Sequence, residues 1–159
     1  MITLSRLFIH PVKSMRGTSV SQSLVRPQGL SWDRTFMLTT TDGTFITARQ
    51  YPEMVLFSPL VVPEGLFIQA TDGSQILVRF EDFSEDGATT EVWGTHFAAQ
   101  IAPDNINHWL SRFFPHPVQL RWAGNQPTRR VKNLPETPVG FAEIGRASVG
   151  KECRSRWSP

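Results

Sequence analysis

Two Asp-Gly pairs do most to constrain the fold of this chain. Asp42-Gly43 lies between Thr35–Thr40 and Thr44–Ala48, and Asp72-Gly73 between Leu66–Ala70 and Gln75–Phe80. The flanking runs are rich in β-branched and aromatic residues, and Asp-Gly accepts the positive φ of a tight hairpin turn. Further strands are predicted over Ile2–Pro11, Thr18–Val25, Val55–Val62, Thr89–Ala99 with a break at Gly94, and Val118–Trp122. Pro59 places the Val55–Val62 run at a sheet edge or bulge. One segment has a helical period instead: Ile106, Trp109, Leu110 and Phe113, with Asp104 as N-cap and Pro115 as the stop. That stripe reads as core packing. The fold expected is mostly β, a small antiparallel β-barrel with one short α-helix over about residues 104–113.

Composition narrows the function classes. The 159 residues suffice for one domain with a real core, and 40% hydrophobic against 19% charged describes a globular chain. No apolar run reaches membrane-span length, and Met1–Arg6 lacks the features of a signal peptide, so a cytoplasmic protein without membrane association is expected. Residues 1–142 carry twelve basic and twelve acidic side chains, so the net charge of +2 comes from Glu143–Pro159. A neutral body argues against a general nucleic-acid field. Cys153 is the single cysteine, which excludes an internal disulfide and a cysteine metal cluster. His10, His96, His108 and His116 show no short ligand spacing. No nucleophile elbow or P-loop is present. Glu81-Asp82 and Glu85-Asp86 read as a solvated turn beside Gly87.

Two N-terminal segments carry anion-binding groups. In Phe8–Gly17 an apolar run stops at Pro11 and is followed by Lys13, Ser14 and Arg16; in Gly29–Leu38, Asp33-Arg34 precedes a strand. Lys supplies a point charge, Ser a donor and Arg a planar fork suited to phosphate. Thr47-Ala48-Arg49-Gln50 adds a further guanidinium. On chemistry alone the same residues also describe ordinary solvated strand ends. Arg129-Arg130 and Lys132 likewise read either as an exposed basic linker or as a phosphate contact.

The order of these segments resembles the N-terminal β-barrel domain of the MOSC family of molybdenum-cofactor proteins, which includes the mitochondrial amidoxime-reducing component and its bacterial relatives. The matching residues are Ile9–Gly17, Gly29-Leu30 with Asp33-Arg34, Thr47–Gln50 with Pro52, and Val92-Trp93-Gly94. The resemblance implies half of a molybdenum-cofactor (molybdopterin) oxidoreductase similar to reductases of N-hydroxylated compounds. By motif position, Lys13, Ser14 and Arg34 would bind the cofactor, with Arg49 a weaker candidate. It further implies a C-terminal MOSC domain bearing the catalytic cysteine and a ferredoxin-like or cytochrome electron donor. The chain is therefore expected to be inactive by itself, with no catalytic residue and no metal ligand of its own.

Residues 1–122 are expected to form the barrel, 123–142 a linker toward a MOSC domain, and 143–159 a non-native tail. The tail leaves the family pattern just after Phe141-Ala142, and its Glu-Ile-Gly-Arg-Ala-Ser string resembles a translated sequencing adapter. It is expected to be disordered and without evolved function. Two other readings use the same residues. One is a non-catalytic barrel that binds a phosphorylated small molecule. The other is a single-strand nucleic-acid barrel with Phe36, Phe45 and Trp93 stacking on bases.

Overall fold

The computed structural model describes residues 1–141 apart from Ile2, Asp86, Trp93, Gln126, Thr128, Lys132, Asn133 and Val139. The tail from 142 and the Trp93 and Lys132 assignments therefore lie outside the described residues. The strands, in chain order, are β1 (Leu7–Ile9), β2 (Thr18–Val20), β3 (Val25–Arg26), β4 (Gly29–Leu30), β5 (Phe36–Thr40), β6 (Ser58–Val62), β7 (Gly65–Gln69), β8 (Gln75–Arg79), β9 (Ala88–Val92) and β10 (Thr95–Ile101). The helix α1 (Asp104–Ser111) follows, then β11 (Val118–Trp122), β12 (Arg130–Val131) and β13 (Leu134–Pro138). Every ladder between these strands is antiparallel. The fold is a mostly-β, half-barrel antiparallel sheet with one helix, as expected.

The main sheet has the order β5-β11-β10-β9, and a second has β6-β7-β8. The Asp72-Gly73 turn joins β7 to β8, with Gly73 at φ 82° and Asp72 Oδ1 accepting from the Ser74 amide at 2.9 Å. Pro59 lies on β6, which is an edge strand. The Asp42-Gly43 turn behaves differently. Thr44–Ala48 forms isolated bridges, Phe45 with Thr39 and Thr44 with Glu91, in place of the predicted strand. The reason is competition for one edge of β5: Val12 bridges Phe36 at one end, leaving only the other end for Phe45. The Thr44–Glu91 bridge in turn brings the far edge of the sheet, β9, back beside β5, and this curls the sheet. Gly43 is demanded there, because a Cβ would lie 2.4 Å from the Thr89 carbonyl oxygen and its φ is 89°.

Other boundaries shrink. Residues 3–6 are not strand, and Thr18–Val25 resolves into β2 and β3. Residues 52–56 form a short 3-10 turn, begun by Pro52, ahead of β6. The helix begins at Asp104 with Pro103 as N-cap, so Asp104 is its first residue and not the cap. Ile106 and Leu110 enter the core, with Trp109 and Phe113 packed against its margin. Asn107 was not anticipated. Its Nδ2 donates to the Ala102 carbonyl at 2.8 Å, and its Oδ1 accepts from the Leu120 amide at 2.9 Å, fastening α1 to β11.

The core has two faces because β5 is buried on both. Phe36 and Leu38 point into the main cluster with Val12, Phe57, Leu66 and Trp122, while Met37 joins Val92, Ala99, Ala123 and Phe141 on the other side. Inside the curl lies Arg121, 2% exposed. Its Nε donates to Thr39 Oγ1, its Nη1 to the Thr89 carbonyl and Thr90 Oγ1, and its Nη2 to Gln119 Oε1, at 2.8–3.1 Å. One guanidinium thus ties β11 to β5 and β9.

Candidate functional site

The two N-terminal motifs are joined by their main chains. Beyond Ile9, the His10 carbonyl accepts from the Arg34 amide at 2.7 Å and the Pro11 carbonyl from the Phe36 amide at 3.0 Å. The Lys13 amide then donates to the Phe36 carbonyl at 2.9 Å. Pro11 contributes no donor of its own, so the strand stops and the chain turns. Val12 and Met15, both buried, pin the turn on either side of Lys13-Ser14. At Ser14 φ is 69°, in the left-handed region, so the chain turns back on itself there.

The second motif is equally contorted. Trp32 has φ 66° and Arg34 φ 50°, with Asp33 between them. Asp33 is the hinge of the cluster: Oδ1 accepts from the His10 amide at 2.8 Å, and Oδ2 pairs with Arg34 Nη1. Gly17 faces the same cluster, since a Cβ there would sit 2.6 Å from His10 Nε2. Burial lowers the His10 pKa, and the Arg34 charge lowers it further, against a smaller raising effect of Asp33. His10 Nδ1 is buried without a hydrogen-bond partner among the described residues.

Of the sequence-predicted residues, Lys13 is 8% exposed, and its Nζ donates to the Phe141 carbonyl at 3.0 Å and lies 6.0 Å from the Phe45 ring centre. The Arg34 side chain is 39% exposed. The Phe141 amide donates to the Arg34 carbonyl at 2.6 Å. Lys13, Ser14 and Arg34 are therefore brought to one locality, by backbone bonds and through Phe141. Arg49 is exposed on a separate turn, closed by Gln50 Oε1 accepting from the Thr47 amide at 3.0 Å. A cavity of about 700 Å³ lies nearby, lined by Ile9, Pro11, Val20, Trp32, Leu60 and Phe80 among others; a second, about 270 Å³, includes Arg26, Trp32 and Asn125. Neither is lined by Lys13, Ser14, Arg34 or Arg49.

Sequence reasoning missed the bridging role of Asp33 and the arrival of Gly140-Phe141. No local signal marks residues so far along the chain as neighbours of Lys13. Within the stretch read as a linker, Ala123, Pro127, Arg129, Gly140 and Phe141 are buried. Arg129 is 2% exposed, donates from Nη1 to the Gly140 carbonyl at 3.0 Å, and has its pKa lowered by burial; it is no solvated linker residue. Phe36 is completely buried, so it presents no face for a base. Among the described residues no cluster of His, Cys, Asp or Glu is arranged to hold a metal, and no helix is long and apolar enough to cross a membrane.

Over 124 residues the chain is 28% identical to the molybdenum cofactor sulfurase of Danio rerio, covering 74% of this chain and 15% of that protein. The molybdenum cofactor sulfurase of Oryza sativa subsp. japonica is 31% identical over 126 residues, 75% of this chain and 15% of that one. Mitochondrial amidoxime reducing component 2 of Homo sapiens is 35% identical over 116 residues, 70% of this chain and 35% of that protein. The chain thus spans a small part of the sulfurases and about a third of the amidoxime reducing component. The model of the MOSC N-terminal beta barrel domain matches residues 1–117, and the chain belongs to that family.

Proposed function

We propose that this chain is the cofactor-binding half of a molybdenum-cofactor oxidoreductase, with Lys13, Ser14 and Arg34 holding the anionic, phosphate-bearing part of the molybdopterin and Arg49 in a supporting place. One observation carries the reading. Among the described residues, left-handed backbone outside glycine is confined to Ser14, Trp32 and Arg34. Each such residue costs about 1–2 kcal/mol relative to ordinary backbone. Strain of this kind persists where the surroundings over-determine it, and it gathers at ligand sites. Here it falls on the two motifs that carry the cations.

The residues fit an organic anion. Lys13 and Arg34 bring two positive charges against the one carboxylate of Asp33, whose oxygens are both engaged. They do not supply metal ligands, so the chain's part is to bind and orient. When bound, the cofactor supplies redox chemistry at its metal. A MOSC domain would provide the catalytic cysteine, and a ferredoxin-like or cytochrome protein the electrons. We assign N-hydroxylated compounds as substrates of the whole enzyme, on its likeness to an amidoxime reducing component, and expect this chain to be inactive alone. With one cysteine in 159 residues it forms no internal disulfide, which suits a reducing cytoplasm.

The test is cofactor retention in a full-length relative carrying the equivalent of Arg34→Ala. Loss of a charge-assisted bond costs about 1.5–3 kcal/mol, roughly ten- to a hundredfold in affinity. Metal and pterin content measured at limiting cofactor should fall accordingly. Unchanged occupancy would reject the assignment.

A further inference from the structure

Lys13 and Arg34 lie in different motifs, yet both are held by the same distant residue. The Phe141 amide donates to the Arg34 carbonyl at 2.6 Å, and the Phe141 carbonyl accepts from Lys13 Nζ at 3.0 Å. We propose that the main chain of Gly140-Phe141 is the positioning element of the anion site, fixing the Lys13 ammonium relative to the Arg34 backbone. The inference rests on the reading of Lys13 and Arg34 as cofactor ligands.

Three further observations support it. First, Arg34 is left-handed, and its peptide groups are clamped on both sides: its amide by the His10 carbonyl at 2.7 Å, its carbonyl by Phe141. Without the second clamp, the strained conformation loses one of the bonds that enforce it. Second, Gly140 has no positive φ, so its glycine is not required by conformation. It is required by approach: a Cβ would stand 2.6 Å from the Arg34 carbonyl oxygen and 3.6 Å from that of Asp33. Third, the segment is anchored. The Phe141 ring is 0% exposed and packs on Phe97 with ring centres 5.6 Å apart, while Arg129 holds the Gly140 carbonyl. A lysine side chain otherwise samples many rotamers, and pinning its ammonium removes that freedom before an anion arrives.

A segment that merely closed the Met37–Val92 cluster would affect stability and not binding, and this separates the two roles. The isotope-labelled chain is titrated with inorganic phosphate, and the Lys13, Ser14, Arg34 and Phe141 amide signals are followed by NMR well below the melting temperature. The parent should show saturable shifts at all four positions, and Lys13→Ala should abolish them. Gly140→Ala should weaken phosphate at least about tenfold and release the exchange protection of the Phe141 amide, which donates to the Arg34 carbonyl. Val92→Ala loosens the same cluster without touching Arg34, and should lower the melting temperature while leaving affinity unchanged. Replacing Phe141 by its α-hydroxy acid, phenyllactic acid, through chemical ligation removes the amide donor while keeping the buried ring and the carbonyl, and should behave like Gly140→Ala; it serves where the alanine variant does not fold. Phosphate affinity unaltered in Gly140→Ala or in the chain with phenyllactic acid in place of Phe141, or no shift of Phe141 at saturation, overturns the positioning role while leaving the anion site intact. No saturable shift in the parent, or full binding by Lys13→Ala, overturns the anion site itself and the positioning role with it.

Discussion

Ser14 holds φ at 69°, and its hydroxyl makes no hydrogen bond among the described residues, so its contributions to stability and to binding can be separated by substitution. Left-handed backbone costs an L-residue about 1–2 kcal/mol. Glycine removes that cost but has a more disordered unfolded chain, which returns about 0.4–1 kcal/mol of the gain. Ser14→Gly should therefore stabilise the domain by about 0.5–1 kcal/mol. For a chain of this size that raises the melting temperature by about 1–4 °C. Ser14→Ala keeps the Cβ and the strain, so its stability should match the parent within about 0.5 kcal/mol. Both variants lose the hydroxyl and should bind phosphate more weakly. Urea unfolding with an unchanged slope gives the first quantity, and NMR titration the second. The reasoning fails if Ser14→Gly is no more stable than Ser14→Ala, because the left-handed turn would then carry no strain, or if both variants bind phosphate as the parent does.

Arg121→Met leaves Thr39 Oγ1 and the Thr89 carbonyl without their buried donor, and should lower stability by about 2–4 kcal/mol in urea unfolding; a variant as stable as the parent would show that the guanidinium cage contributes nothing. His10 has a folded-state pKa below its ordinary 6.5, so the unfolded chain binds more protons as pH drops. Its contribution is complete above that ordinary value and lost as pH falls through the folded pKa. His10→Gln should flatten the stability-against-pH curve on the acid side of neutrality, and an unchanged slope there would exclude His10 as its source.

The elements legible in the sequence were those whose partners are close in the chain. The Asp72-Gly73 hairpin, the break at Gly94 and the helical stripe over Ile106 and Leu110 all depend on local pattern, and all formed. Thr44–Ala48 has an equally good pattern but shares one edge of β5 with Val12, and that competition is tertiary. At the candidate site, the cation-bearing side chains could be named from motif order. Their setting could not. Asp33 serving two motifs, Gly17 making room for His10, and Phe141 reaching Lys13 all depend on residues brought together only by the finished fold. Arg129 looked like a solvated cation because nothing local shows what covers it.

The pairing of β5 with β11 also orders events in time. Residues 36–40 emerge from the ribosome early, but their ladder partner, residues 118–122, is made only after α1. At about 5–20 residues per second, several seconds of synthesis separate the two. Throughout that interval one edge of β5 stays open, and Phe36 and Leu38 lack part of their final cover. The contorted Ser14–Arg34 region waits longer still, for Phe141. On the proposed reading of Lys13 and Arg34, a nascent chain has no finished anion site to load, and cofactor capture would follow completion of the segment that carries Phe141. During that delay the unfinished sheet is the part of the molecule most open to strand-swapping with a neighbour on the same message.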